Sequence, residues 1–175
     1  MLDIAENSVR AGARTVTITV REDREKDLLS LEIRDDGNGM TDRELEKALD
    51  PFYTTKKVRR VGLGLPMLKE AAERTGGSFA IESWEGAGTR VFVTFGLSHI
   101  DRQPLGDVAL TMVSLIAGNP GVDFVYIHRR NGGEYRLDTR DIKRDLGDVP
   151  INHTEVLALI RGDVQEGMKE IKASA

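Results

Sequence analysis

Asp3 and Asn7 stand four residues apart in Asp3-Ile4-Ala5-Glu6-Asn7-Ser8, and that spacing on a helix puts both side chains on one face. A carboxylate and an amide oxygen so placed can hold a hard cation and orient a nucleophile. Mg²⁺ keeps several waters and takes few protein ligands beside phosphates, so Asn7 alone suffices as its protein ligand. The bland alternative is a helix with polar residues facing solvent. A second stretch, Asp35-Asp36-Gly37-Asn38-Gly39-Met40, directly follows a strand pattern. Asp35 at the strand end can accept a hydrogen bond from an exocyclic amino group such as that of adenine. Gly37 and Gly39 let the backbone approach a flat ring closely; the alternative is an ordinary Asp-Gly turn. A third stretch, Pro51-Phe52-Tyr53-Thr54-Thr55-Lys56-Lys57 with Arg59-Arg60, combines aromatic, hydroxyl and cationic groups suited to a lid over phosphates, or forms a solvated basic loop. A fourth, Gly62-Leu63-Gly64-Leu65-Pro66, opens a helix. Free N–H groups at a helix start bind phosphate, and Pro66 costs no hydrogen bond in the first turn. The stretch has neither the third glycine of a dinucleotide fingerprint nor a Gly-Lys-Ser/Thr, so it is neither a Rossmann loop nor a P-loop.

The elements that position these groups follow from periodicity. Residues 2–12 read as a helix ending at Gly12. Thr15 to Val20 and Leu28 to Arg34 alternate as strands, with a charged loop from Arg21 to Asp27 between them. Thr41 and Glu44 form a capping box opening a helix to about Leu49. A helix from Leu65 to Arg74 stops at Gly76-Gly77, and Ser78 to Trp84 and Thr89 to Phe95 are strands joined across Glu85-Gly86-Ala87-Gly88. Helices layered on one face of a mixed sheet suit this order. Beyond Leu97 the pattern predicts an amphipathic helix over Pro104 to Ala117 and a hairpin of Val122 to His128 with Glu134 to Asp138. A short helix over Asp141 to Leu146 follows, then a final helix capped by Asn152 and Glu155.

The chain has 175 residues, 39% of them hydrophobic, and a net charge of -4 with both signs interspersed. That distribution offers no footprint for nucleic acid or an anionic membrane. With no cysteine there is no disulfide, thiolate or Cys-based metal chemistry, which fits a cytoplasmic location. Val108 to Ala117 is too short to span a bilayer, and no signal peptide is expected. The helical pattern begins at Met1 without a cap, so the first helix is expected to lack its first turns.

The four stretches, in this order, resemble the N, G1, F and G2 boxes of the GHKL ATPase superfamily: type II topoisomerases, heat-shock chaperones, histidine kinases and mismatch-repair ATPases. Gly86-Ala87-Gly88-Thr89-Arg90-Val91 resembles the Gly-x-Gly-Thr that closes that domain. The resemblance covers roughly residues 1–96. It implies an α/β fold, a two-layer sandwich holding ATP between helices and lid; residues 97–175 lie beyond the resemblance, and their helix–hairpin–helix pattern suits a small α/β extension packed on that domain. It implies that Asn7 ligates Mg²⁺, that Asp35 reads the adenine amino group, and that Gly37 and Gly39 approach the base. Gly62, Leu63, Gly64 and Leu65 would lie against the phosphates, Lys56 with Arg59 or Arg60 would counter their charge, and Thr89 would fix the adenine end through water. Phe52 would anchor the lid.

The short lid and Gly-Leu-Gly-Leu are similar to histidine kinases, whereas Glu6-Asn7-Ser8-x-x-Ala11-Gly12-Ala13 is similar to mismatch-repair ATPases. Those hydrolases carry a water-activating acid four residues before the metal-binding Asn, and Asp3 stands there, one methylene shorter than Glu; it is the candidate catalytic base. Ser98-His99-Ile100-Asp101-Arg102-Gln103-Pro104-Leu105 loosely echoes a phosphoacceptor box but lies on the wrong side of the ATP domain, so His99 is expected to end a strand. His128 and His153 have no context suggesting a role. The whole resembles stand-alone kinase-like ATP-binding proteins of anaerobic bacteria. Three readings stand open. The first is a histidine-kinase-type enzyme phosphorylating a separate protein, the second an ATPase using Asp3 to activate water, and the third a non-catalytic nucleotide sensor. A protein partner or a second copy is the expected contact of the extension.

Overall fold

A computed structural model describes residues 1–50 and 64–173. Alternation builds the centre. In β1 (Thr15–Asp23) and β2 (Leu28–Asp35) every second residue is buried, as a sheet covered on one face requires. They pair antiparallel with Ile18 opposite Ile33 and Val20 opposite Leu31. β4 (Gly88–Gly96) joins β2, with Val91 opposite Ile33 and Val93 opposite Leu31, and β3 (Phe79–Trp84) closes that side. On the other side β5 (Asp123–Arg130) lies parallel to β1, with Phe124 opposite Val16 and Tyr126 opposite Ile18, and β6 (Gly133–Asp138) pairs outside it. The result is one six-stranded mixed sheet, ordered β3-β4-β2-β1-β5-β6. β5 and β6 thus continue the sheet formed by β1 to β4.

Helices cover the buried face. α1 (Leu2–Arg10) buries Ile4, Ala5 and Ser8; α3 (Gly64–Arg74) buries Ala72. α4 (Val108–Gly118) buries Val108, Ala109, Met112, Leu115 and Ile116 between the sheet, α1 and α6 (Thr154–Glu170). Thr17, Thr19, Ser30 and Glu32, on the opposite sheet face, are only half-buried, so the architecture is two-layered over the described residues. The short α2 (Asp42–Ala48) carries the expected capping box, and α5 (Thr139–Leu146) packs against β5. No helix among the described residues is long and apolar enough to cross a membrane.

Among the boundaries that differ from the sequence pattern, three change the part a side chain plays. β1 runs through Arg21, Glu22 and Asp23, which the pattern assigns to a loop. α4 begins after Asp107, whose carboxylate accepts the Leu110 N–H, so Pro104 lies outside the helix. α6 has His153 as its N-cap, without the side-chain cap expected of Asn152.

The extended β1 carries a buried charge. Glu22 accepts from His128 Nε2 at 2.9 Å, and His128 Nδ1 meets the Tyr126 hydroxyl at 2.8 Å. Arg130 Nε lies 3.4 Å from the second Glu22 oxygen, close enough to pair but without hydrogen-bond geometry. All four residues are buried. With Nε2 donating to Glu22 and Nδ1 accepting from the Tyr126 hydroxyl, both His128 ring nitrogens are satisfied.

Burial, reinforced by the Glu22 charge, raises the Tyr126 pKa above the ordinary value; burial and the bond to Asp163 do the same for Tyr135. A raised folded-state pKa contributes stability that is complete below the unfolded value, about 10 for tyrosine, and is lost as pH rises above it. The urea unfolding midpoint should therefore hold between pH 7 and about pH 9 and fall above about pH 10, less steeply in Tyr135→Phe. A flat midpoint to about pH 11 would contradict the raised pKa of both tyrosines.

Candidate functional site

The ends of β2 and β4 meet where Asp35 leaves the sheet. Asp35 is 8% exposed. Its Oδ1 accepts the Gly37 N–H at 2.9 Å and the Thr89 N–H at 3.2 Å, and its Oδ2 accepts the Ser8 hydroxyl at 2.6 Å. A carboxylate has about four acceptor positions. Three are filled among the described residues, which leaves one on Oδ2. Asp36 is used structurally: burial works to raise its pKa, but the Thr15 and Arg14 N–H groups outweigh it and hold the carboxyl below its usual range. That pair of bonds ties the start of β1 to the end of β2.

Glycines set the close packing beneath this corner. A Cβ on Gly39, which has φ 64, would stand 1.9 Å from the Trp84 carbonyl oxygen; one on Gly88, with φ 98, would stand 2.0 Å from that of Asp35. The loop after β2 and the β3–β4 hairpin therefore interlock through backbone. Gly37 fits against the Ala11 carbonyl, 2.9 Å from where its Cβ would be. Close approach at Gly37 and Gly39 thus serves protein–protein packing. Ser83 completes the corner, donating or accepting with Thr89 Oγ1 at 2.8 Å and accepting the Met40 N–H at 2.8 Å.

Above Asp35 lies a cavity of about 440 Å³. It gathers Asp3 and Asn7 from α1, Asp35 from β2, Gly39 from the following loop, Gly64 and Leu65 from the start of α3, and Thr89 from β4. Ile4, Met40, Ile81 and Val91 add apolar wall, so one region combines an apolar surface with the Asp35 carboxylate. Gly37 lies behind Asp35 and outside this lining. Lys56, Arg59, Arg60, Gly62, Leu63 and Phe52 lie outside the described residues.

Asp3 and Asn7 share the cavity face of α1, as their spacing requires, while Glu6 pairs with Arg10 at 3.9 Å. Arg10 also donates to Asn7 Oδ1. Asp3 Oδ2 lies so close to Gly64 that a Cβ there would be 2.1 Å away. Ser8, Arg10 and Ser83 are site residues that spacing did not single out. Ser8 was legible only as the residue after Asn7, because its partner is 27 positions away.

A larger hollow of about 700 Å³ lies at the tips of the β1–β2 and β5–β6 turns. Its charges largely pair among themselves, Arg21 with Asp23, Arg129 with Glu134 and Arg130 with Glu22, and it holds none of the predicted residues. His99 lies beyond the far end of β4 from Thr89, exposed. The seven residue-to-residue steps from Thr89 to Gly96 span about 23 Å of strand. His99 is therefore remote from the cavity.

A sequence model of the family described as histidine kinase-, DNA gyrase B-, and HSP90-like ATPase matches residues 1–99. Sensor histidine kinase WalK of Bacillus subtilis is 34% identical over 93 residues, covering 50% of this chain and 15% of that protein. Sporulation kinase E of Bacillus subtilis is 39% identical over 70 residues, covering 40% and 9%. Sensor histidine kinase ZraS of Salmonella typhi is 35% identical over 104 residues, covering 59% and 22%. The chain spans less than a quarter of the length of each of these curated relatives. The catalytic domain of histidine kinase ThkA superposes with a TM-score of 0.44 at 18% identity, covering 57% of this chain and 65% of that one.

Proposed function

We propose that this chain, which belongs to the histidine kinase-, DNA gyrase B-, and HSP90-like ATPase family, binds ATP with Mg²⁺ and transfers phosphate to a separate protein in cytoplasmic signal transduction. The observation that carries the reading is Asp35. Its carboxylate is fixed by Gly37, Thr89 and Ser8 and keeps one acceptor position beside a partly apolar cavity. That arrangement suits a flat base presenting one N–H donor, as adenine does.

The chain's residues fit the metal as well. Asn7 presents a hard oxygen acceptor at the cavity, and that oxygen already takes the positive Arg10. Asn7 would hold Mg²⁺, which when bound offsets phosphate charge. Gly64 and Leu65 at the opening of α3 would face the phosphates, and Lys56, Arg59 and Arg60, with Gly62 and Leu63, would complete the cradle. Residues 1–96 are the nucleotide-binding unit in this reading. Residues 97–175 are an extension that contacts a protein partner or a second copy.

A second reading, hydrolysis, is favoured by Asp3, which lies at the cavity four residues before Asn7. A carboxylate there can take a proton from water. The test is the fate of γ-labelled ATP incubated with the chain, Mg²⁺ and protein from the source cells. Label on protein, acid-labile and alkali-stable, without matching free phosphate, is the expected result. Stoichiometric free phosphate that disappears in Asp3→Asn would instead establish hydrolysis.

A further inference from the structure

The ends of β1, β5 and β6 form a row across the sheet. Glu22 stands opposite Arg130, and Arg130 stands opposite Gly133. Gly133 brings no side chain, so the row ends there with nothing of its own beside Arg130. The turn that presents it is tight: Asn131 at φ 48 and Gly132 at φ 84 take the left-handed backbone of a two-residue hairpin loop. Arg130 is 7% exposed and lines the hollow of about 700 Å³ between the two turns. Its charge is met, but its Nε donor is not. Glu22 gives one oxygen to His128 at 2.9 Å and holds the other 3.4 Å from Arg130 Nε, off the line of a hydrogen bond. No described residue accepts from that Nε. Buried polar groups are nearly always bonded, so an under-bonded guanidinium at the floor of a hollow points to a partner from outside the chain.

We propose that this hollow binds a small molecule through a single carboxylate held by Arg130. A guanidinium presents its donors in a flat fork, and a carboxylate matches that fork with two parallel N–H···O bonds. The charge of the surroundings selects the ligand further. Four arginines and four acids line the hollow, so its net charge is zero. A doubly charged phosphate would lose more hydration there than neutral surroundings return, whereas a monoanion loses less. Arg21 and Arg129 at the rim are held by Asp23 and Glu134, which leaves the floor as the anchor. The hollow lies at the Leu28 end of β2, seven residue-to-residue steps and about 23 Å of strand from Asp35. The inference is therefore independent of the nucleotide reading.

Backbone amide NMR of the full chain, titrated separately with lactate, pyruvate and each neutral amino acid, tests it. At least one should shift the Arg130, Asn131 and Gly132 signals saturably, with a Kd below about 1 mM. The amide of that ligand, which keeps the shape and lacks the charge, should not. Inorganic phosphate at equal ionic strength should bind at least about tenfold more weakly. Arg130→Lys keeps a cation beside Glu22 but loses the fork, so it should bind about tenfold more weakly. Arg24→Ala, at the exposed rim, should stay within about threefold of the parent. Saturable shifts from none of these carboxylates would overturn the proposal. So would equal binding of the amide or of phosphate, or a loss in Arg24→Ala larger than that in Arg130→Lys. Should Arg130→Lys fail to fold, the comparison of carboxylate, amide and phosphate on the parent chain still decides.

Discussion

Asp35→Asn should weaken Mg²⁺-ATP binding about a hundredfold while leaving the chain folded. The carboxylate accepts two backbone N–H groups on Oδ1 and the Ser8 hydroxyl on Oδ2. An amide can satisfy only one side. With its NH₂ toward Gly37 and Thr89 it sets donor against donor. With its NH₂ toward the cavity it keeps those bonds but presents a donor to the base's donor. Hydrogen bonds to a charged group contribute about 1.5–3 kcal/mol each, and an unmatched buried donor adds a further cost. A net loss near 3 kcal/mol corresponds to roughly two orders of magnitude in affinity. Calorimetry with the parent and variant side by side checks this. Parent-like affinity in the variant would remove Asp35 from base recognition.

The largest expected effect on stability belongs to Glu22→Ala. Glu22 and His128 side chains are fully buried, and Arg130 beside them is nearly so. Removing the acid leaves the Arg130 charge without its counterion and the His128 Nε2 without its acceptor. Breaking one member of a buried pair typically costs about 3–5 kcal/mol, a large share of the roughly 5–15 kcal/mol by which a domain is stable. Glu22→Gln, which retains an acceptor for His128, should cost less. Urea unfolding of both variants measures the difference. Equal, small losses would show that the network stabilises little beyond its packing.

The strands and helices of the first half were legible because their signals are local. Alternation in Thr15–Val20 and the Thr41–Glu44 capping box each lie within one element. The cavity residues Asp3, Asn7, Asp35, Gly64, Leu65 and Thr89 were legible because a short stretch of ordered residue types surrounds each. What escaped depends on distant partners. Glu22 reads as a loop acid until His128, 106 positions away, satisfies it, and that is why β1 runs longer than its apolar pattern. Ser8 gains meaning only from Asp35. The start of α4 was misread because Pro104 is a familiar first-turn residue, whereas Asp107 supplies the side-chain cap that fixes the boundary. The parallel pairing of β5 with β1 carries no local mark at all, since each strand alone reads the same in either direction.

That pairing also sets an order of events during synthesis. β1 spans Thr15–Asp23, and the strand that covers its outer edge arrives about a hundred residues later. At roughly 5–20 residues per second, β1 leaves the ribosome about 5–20 s before β5. Through that interval its backbone edge is open to any other strand, and Glu22 has neither His128 nor Arg130. Contacts of such high sequence separation form slowly. The nascent chain therefore passes through a stage in which α1 and the loop after β2 are complete while the middle of its sheet is still an edge, and chaperone dependence should be greatest there.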